Sequence, residues 1–272
     1  MVDTFQYNAT LTRRIDVTDT LSIMQIKSDQ PLGSFKAGQF TMIGLKPEAP
    51  RCPNVGPEEV KRKPTDKIIR RAYSMCSDPA QTQYYEFYLS LVKTGELTSR
   101  LYMMKEGDRL WSSGKPSGVF TLGSVPPEKG LFMISTGTGI APFMSMTRQA
   151  RREKSQRKII MLNAIDVSKQ LGFRAELEAY AKENSNFHYL PVVTFPNLEP
   201  TWKGLTGWVQ DDIRNGKYEK KVGWKITPDT FQVLLCGNPA MIKSAIEALT
   251  EKGFKHGKSK DPSASIYTEE YW

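Results

Sequence analysis

Leu131-Phe132-Met133-Ile134-Ser135-Thr136-Gly137-Thr138-Gly139-Ile140-Ala141-Pro142-Phe143 leads from an apolar strand through a glycine-rich turn into a helical segment over Phe143 to Arg152. Glycines let the backbone approach a ligand closely, and the open N–H groups at a helix start favour a phosphate. The motif is not G-x-G-x-x-G, because the third glycine position holds Pro142, and it lacks the lysine of a Walker A loop. Alone, it reads equally as a tight strand-to-helix turn with proline near the first helical position. Its surroundings decide the fold. Ile159-Ile160-Met161-Leu162 precedes a helical Phe173 to Lys182, and Val233-Leu234-Leu235 precedes a helical Ala240 to Lys252. Repeated strand–helix units imply a parallel sheet with helices on both faces.

Toward the N-terminus the period changes. Ala9 to Thr12, Leu21 to Ile26, Phe40 to Leu45 and Tyr85 to Val92 alternate between apolar and polar residues and are separated by Gly, Pro and Asp turn signals. That spacing suits a small antiparallel β-barrel. A chain of 272 residues has room for two cores. The expectation is therefore a two-domain protein, with an antiparallel barrel over 1–126 and an α/β nucleotide-binding domain with a parallel sheet over 127–272. Between Pro47 and Arg70 lies a Pro- and Lys-rich stretch without periodicity, read as an exposed loop.

The start of the chain has no apolar stretch behind a basic leader, and no segment approaches the ~20 apolar residues of a membrane span, so a cytoplasmic protein is expected. Cys52, Cys76 and Cys236 are too few for an iron–sulfur cluster, which usually takes four thiolates, and no metal site is expected. A formal net charge of +9 attracts acidic partners. Nucleic acid, an acidic carrier protein and phosphorylated nucleotides all match that sign. The basic runs at Lys61 to Lys63, Arg151 to Lys154 and Lys252 to Lys260 carry no interleaved aromatics, which favours a solvated surface over nucleic-acid binding.

Two further elements bear on the glycine turn. Arg71-Ala72-Tyr73-Ser74 combines a guanidinium for a diphosphate, an aromatic face for a flat heterocycle and a hydroxyl donor. Leu97-Thr98-Ser99 sits at a helix start, with backbone and hydroxyl donors for the same phosphates. Separately, these are a surface arginine, a core tyrosine and a capped helix. Together with Ala37-Gly38-Gln39-Phe40-Thr41, Gly137-Thr138-Gly139, Leu235-Cys236-Gly237-Asn238-Pro239-Ala240-Met241 and the terminal Glu269-Glu270-Tyr271-Trp272, the chain resembles the ferredoxin–NADP⁺ reductase family, in its bacterial form with an extra C-terminal Trp.

The resemblance implies an FAD-binding barrel and an NAD(P)-binding α/β domain, with hydride exchanged between NAD(H) or NADP(H) and FAD. The flavin is coupled in turn to an acidic one-electron carrier, ferredoxin or flavodoxin. By position, it implies that Arg71, Ala72, Leu97, Thr98 and Ser99 bind the FAD diphosphate region. Tyr73 packs on the flavin, and Ser74 hydrogen-bonds near its N5 atom. Thr136, Gly137, Thr138, Gly139, Asp166, Cys236, Gly237, Asn238 and Pro239 take the nicotinamide nucleotide, with Cys236 lining the nicotinamide pocket. Glu269 links the flavin to solvent protons, Tyr271 covers its other face, and Trp272 contacts the adenine side of FAD. Ser74, Cys236, Glu269 and Tyr271 are thus the expected catalytic residues.

One departure concerns the nucleotide. The family grips the 2′-phosphate of NADPH with arginines at positions that here hold Asp166, Phe195 and Trp208. An acidic side chain after the second strand accepts hydrogen bonds from a ribose 2′-OH and repels a 2′-phosphate, so NADH preference is expected, with Arg174, Lys169 and Lys203 as alternative sources of charge. The rival readings are the reductase component of an oxygenase and a non-catalytic electron-transfer subunit.

Overall fold

The computed structural model describes residues 6–60, 63, 67–258, 261 and 263–271. Trp272 lies outside the described residues, as do Lys61, Arg62 and Lys260 of the basic runs. Contacts divide the chain into two units, Met1–Gly118 and Val119–Trp272. The residues between that division and position 127, where the sequence pattern changes, pack with the second unit. Phe120 lies 5.9 Å from Phe143 between ring centroids, Val125 is buried, and Arg157 donates to the Pro126 carbonyl.

The first unit holds β1 (Ala9–Thr18), β2 (Leu21–Ser28), β3 (Phe40–Leu45), β4 (Ile69–Ser74), β5 (Tyr85–Ser90), a single helical turn α1 (Thr98–Leu101) and β6 (Arg109–Ser112). The strands form one sheet in the order β4-β3-β6-β1-β2-β5, with every neighbouring pair antiparallel. All six supply a single interior, including Leu11, Met24, Ile43, Ile69, Phe87 and Leu110. A sheet wrapped around one core is how a small antiparallel barrel hides its apolar face. Ile68 and Ile69 are buried at the start of β4, so Arg70 belongs to the strand and not to the preceding loop.

The second unit runs β7 (Gly130–Thr136), α2 (Ala141–Arg152), β8 (Ile159–Ile165), α3 (Arg174–Glu183), β9 (Phe187–Val193), β10 (Leu205–Thr206), α4 (Val209–Arg214), α5 (Lys217–Val222), β11 (Phe231–Gly237), α6 (Pro239–Thr250) and β12 (Ile266–Glu270). Its sheet is parallel throughout, in the order β10-β9-β8-β7-β11-β12. The continuous apolar runs of β7, β8 and β11 are buried along their length, as strands covered on both faces must be. Phe132, Ile134, Leu162, Val233 and Leu235 share a core with Ile213 of α4 and Ile242 and Leu249 of α6. The residues between them, among them Met133, Met161 and Cys236, face the other side by the two-residue period of a strand. The chain end returns as β12 on the edge beside β11. No helix among the described residues is long and apolar enough to cross a membrane.

Candidate functional site

In the second unit the strand order reverses between β7 and β11, since β7 is followed by β8 on one side and flanked by β11 on the other. Ligands of open α/β sheets bind outside the carboxyl ends of the strands at such a switch point. Both sequence motifs of this unit sit there, and they interlock. The Asn238 amide donates to Thr136 Oγ1 at 2.9 Å, and Gly139 packs so closely on the end of β11 that an added Cβ would lie 2.3 Å from the Cys236 carbonyl oxygen. Gly237 adopts φ +133°, where only glycine is at ease, and a Cβ there would meet Thr136 Oγ1 at 2.4 Å.

Gly137 also has positive φ, but a Cβ on it would meet nothing within 4 Å, so this part of the turn faces open space. Helix α2 begins without a side-chain cap but continues a 3₁₀ turn over Gly137–Ile140, so its Ala141 N–H is spent on the Thr138 carbonyl and Pro142 has none; an incoming anion would meet the glycine turn itself. Asn238 instead caps α6, accepting from the Ala240 amide at 2.8 Å. The glycine turn thus fits a diphosphate, and Asn238 serves the architecture around it.

Cys236, Glu269 and Tyr271 come together at the same strand end. Cys236 is paired in register with Glu269, and the Tyr271 amide donates to the Gly237 carbonyl at 3.3 Å. The Cys236 side chain is fully buried, and burial pushes its thiol well up, assisted by the Glu269 charge and opposed by the neighbouring Tyr271. A thiol held in that state is no nucleophile near neutral pH. Ellman's reagent is therefore expected to label Cys52, which is partly buried, and to spare Cys76 and Cys236 in the native protein. Rapid native labelling of Cys236 would contradict its enclosure.

Asp166, Phe195 and Trp208 follow the ends of three adjacent strands, β8, β9 and β10. The ends are tied together by Thr194 N–H to the Ile165 carbonyl at 2.8 Å and Gly207 N–H to the Val193 carbonyl at 3.2 Å. Phe195 and Trp208 form an edge-to-face pair at 5.7 Å, and both are exposed. Asp166 is exposed, and its carboxylate makes no ion pair among the described residues. Arg174, an alternative cation for this region, is committed to Glu178 at 2.6 Å and lies over the Trp202 ring.

In the first unit, Arg71 to Ser74 form the end of β4, paired with Phe40 to Ile43 of β3. Ser74 is buried, while Tyr73 is partly buried with its ring 6.3 Å from Phe87. Burial pushes the Tyr73 phenol well up, so it stays protonated. Arg71 reaches the Glu96 carboxylate at 2.7 Å, and that carboxylate is fully buried.

The hydroxyls of the Leu97 to Ser99 turn are already engaged. Ser99 donates to the Gly95 carbonyl at 2.8 Å and Thr98 to the Val92 carbonyl at 3.2 Å. A hydroxyl has one proton, so neither has a donor left for a phosphate in this geometry. The backbone N–H groups of Thr98 and Ser99, by contrast, donate to no acceptor among the described residues although both residues are buried, and a phosphate oxygen fits that demand. Sequence reasoning missed Arg51 and Arg100, which gather at the same turn. Arg100 lies within the Gly95 to Leu101 segment but was given no role there, and Arg51 lies in a loop without periodicity, which gives no signal for which of its residues fold inward.

Comparison with known proteins gives the family and the fold. A family model described as "Oxidoreductase NAD-binding domain" matches residues 133–247. The flavodoxin/ferredoxin–NADP reductase of Buchnera aphidicola subsp. Baizongia pistaciae (strain Bp) is 30% identical over 92% of this chain and 93% of its own. The ferredoxin–NADP reductase of Azotobacter vinelandii is 31% identical over 81% of this chain and 80% of its own. A solved ferredoxin NADP⁺ reductase from Neisseria gonorrhoeae with bound FAD and NADP matches with a TM-score of 0.80 at 25% identity, covering 97% of both chains.

Proposed function

The chain belongs to the ferredoxin/flavodoxin–NADP reductase family, and from that premise we propose that it is an FAD-dependent oxidoreductase exchanging hydride with a nicotinamide nucleotide and single electrons with a ferredoxin or flavodoxin. The observation that carries the reading is the convergence of the glycine turn after β7 with Cys236, Glu269 and Tyr271 at one switch point.

When bound, FAD takes up a hydride as an electron pair and passes the electrons on one at a time. In the first unit, Arg71 and the amides from Leu97 to Ser99 would hold its diphosphate, with Ala72 keeping the backbone of β4 open to it, Tyr73 offering an aromatic face to the ring and Ser74 a hydroxyl donor. In the second unit, Thr136 to Gly139 would take the nucleotide diphosphate, and Cys236 to Pro239 would line the nicotinamide. Tyr271 would cover the face of the flavin that the nicotinamide needs, and Glu269 would connect the site to solvent protons. The formal net charge of +9 supports an acidic carrier by steering.

Purified protein should carry flavin absorption, bleach anaerobically with a nicotinamide nucleotide, and then reduce an added ferredoxin or flavodoxin. Colourless protein that takes up no FAD rules the activity out.

Nucleotide preference follows from the strand ends. The unpaired Asp166 carboxylate suits a ribose 2′-OH, and the exposed Phe195–Trp208 pair carries no charge for a 2′-phosphate. NADH is the preferred donor in this reading. Asp166→Arg is expected to raise the ratio of kcat/KM for NADPH over NADH by about tenfold, or 1.4 kcal/mol. A wild-type preference for NADPH, or an unmoved ratio in the variant, overturns the assignment.

A further inference from the structure

Residues 46–68 separate β3 from β4, and the described part nearest β3 is not free loop. It is strapped across the turn that precedes and forms α1. Cys52 N–H donates to the Ser99 carbonyl and Glu59 N–H to the Thr94 carbonyl, each at 2.9 Å. Ala49 and Cys52 pack against the core of the unit. The clasp is ionic. Glu58 bridges Arg51 and Arg100. Arg100 is buried and gives its remaining contacts to the carbonyls of Pro47, at 2.8 and 3.2 Å, and Glu96, at 2.7 Å.

Arg51 differs from Arg100. Its Nε donates to the Ser99 hydroxyl at 3.2 Å and its Nη2 to the Gly56 carbonyl at 3.0 Å, while Nη1 has no acceptor among the described residues. Arg71 is held at the same turn from β4, through Glu96, three residues before Ser99. Among the described residues, three guanidiniums, of Arg51, Arg71 and Arg100, gather at this turn with two carboxylates, of Glu58 and Glu96. The hydroxyls of Thr98 and Ser99 cannot donate outward, so the turn needs another strong donor if it is to hold an anion of two negative charges.

We propose that Arg51, delivered by the strap and seated on the Ser99 hydroxyl, is a second diphosphate-binding guanidinium for FAD, partnering Arg71. This rests on the reading of the first unit as the flavin site. Ser99 is then a positioning residue whose hydroxyl orients Arg51, and the Glu58–Arg100 clasp keeps the strap closed over the turn.

The test is equilibrium binding of FAD and of riboflavin, which has no phosphate, to the full-length chain freed of flavin, followed by flavin fluorescence. Arg51→Ala is expected to bind FAD roughly ten- to a hundredfold more weakly, with riboflavin affinity within about twofold of wild type. Arg51→Lys should recover part of the loss, since the charge remains while the fork geometry does not. Unchanged FAD affinity in Arg51→Ala overturns the proposal. Equal losses for FAD and riboflavin also overturn it, because they would mean that the strap only supports the fold. If the wild-type chain binds neither ligand, the flavin reading falls first and the assignment of Arg51 with it.

Discussion

Gly139→Ala is expected to be strongly damaging to the second unit. The new Cβ would lie 2.3 Å from the Cys236 carbonyl oxygen, 2.6 Å from its carbon and 2.7 Å from the Gly237 Cα. All three are backbone atoms of a central strand end, so no rotamer change relieves the overlap, and β7 must separate from β11 where both motifs meet. Forced overpacking of this kind sits at the upper end of the usual range, about 3 kcal/mol. In a unit of this size that lowers Tm by roughly 6–12 °C. Nucleotide KM should rise with it, because the interlock also aims the turn. Gly137→Ala is the control: its Cβ meets nothing within 4 Å, and its cost is about 1 kcal/mol from positive φ alone. Equal melting temperatures for the Gly139→Ala and Gly137→Ala variants would show that the two loops do not interlock.

Arg71→Ala is expected to reduce both stability and FAD affinity, by separable routes. The substitution removes the guanidinium bonded at 2.7 Å to the fully buried Glu96 carboxylate. Breaking one side of a buried pair costs about 3–5 kcal/mol, and because Arg71 itself is about a third exposed the lower figure applies. Its second role, a charge-assisted contact to a diphosphate, is worth about a hundredfold in affinity. Pairing the change with Glu96→Gln separates the two. The double variant should regain most of the denaturation midpoint of the flavin-free protein, because no buried carboxylate is left without its cation, and should still bind FAD weakly. Restoration of both properties together would assign Arg71 to architecture alone.

The readable parts of the chain were those whose physics is local. Continuous apolar runs in Leu131 to Ile134 and Val233 to Leu235 report strands covered on both faces, whereas alternation in Phe40 to Leu45 and Tyr85 to Ser90 marks strands but not their covered faces: Thr41 is buried between half-buried Phe40 and Met42, and Tyr85 to Leu89 is buried on both sides. Gly137 and Gly237 mark backbone that a side chain would strain. Positions 166, 195 and 208 were placed by the family resemblance, after the second and third strands and in the Leu205-Thr206-Gly207 segment, and the parallel register brings those strand ends side by side. The stretch from Pro47 onward has neither period nor motif, so its docking on the Thr94 to Arg100 turn was not visible in the sequence.

By itself, then, the sequence determined the antiparallel and parallel halves, because periodicity is carried by neighbouring residues, and it raised the absence of arginine at positions 166, 195 and 208 as a question of nucleotide preference. Tertiary structure alone decided that Gly139 wedges against Cys236, that β12 seats Glu269 beside the buried thiol, and that Arg51 lands on Ser99. These contacts join residues some thirty to a hundred positions apart. Their geometry exists only after the sheets have closed, when each donor's proton and each carboxylate's partner is chosen from whatever the fold has brought within reach.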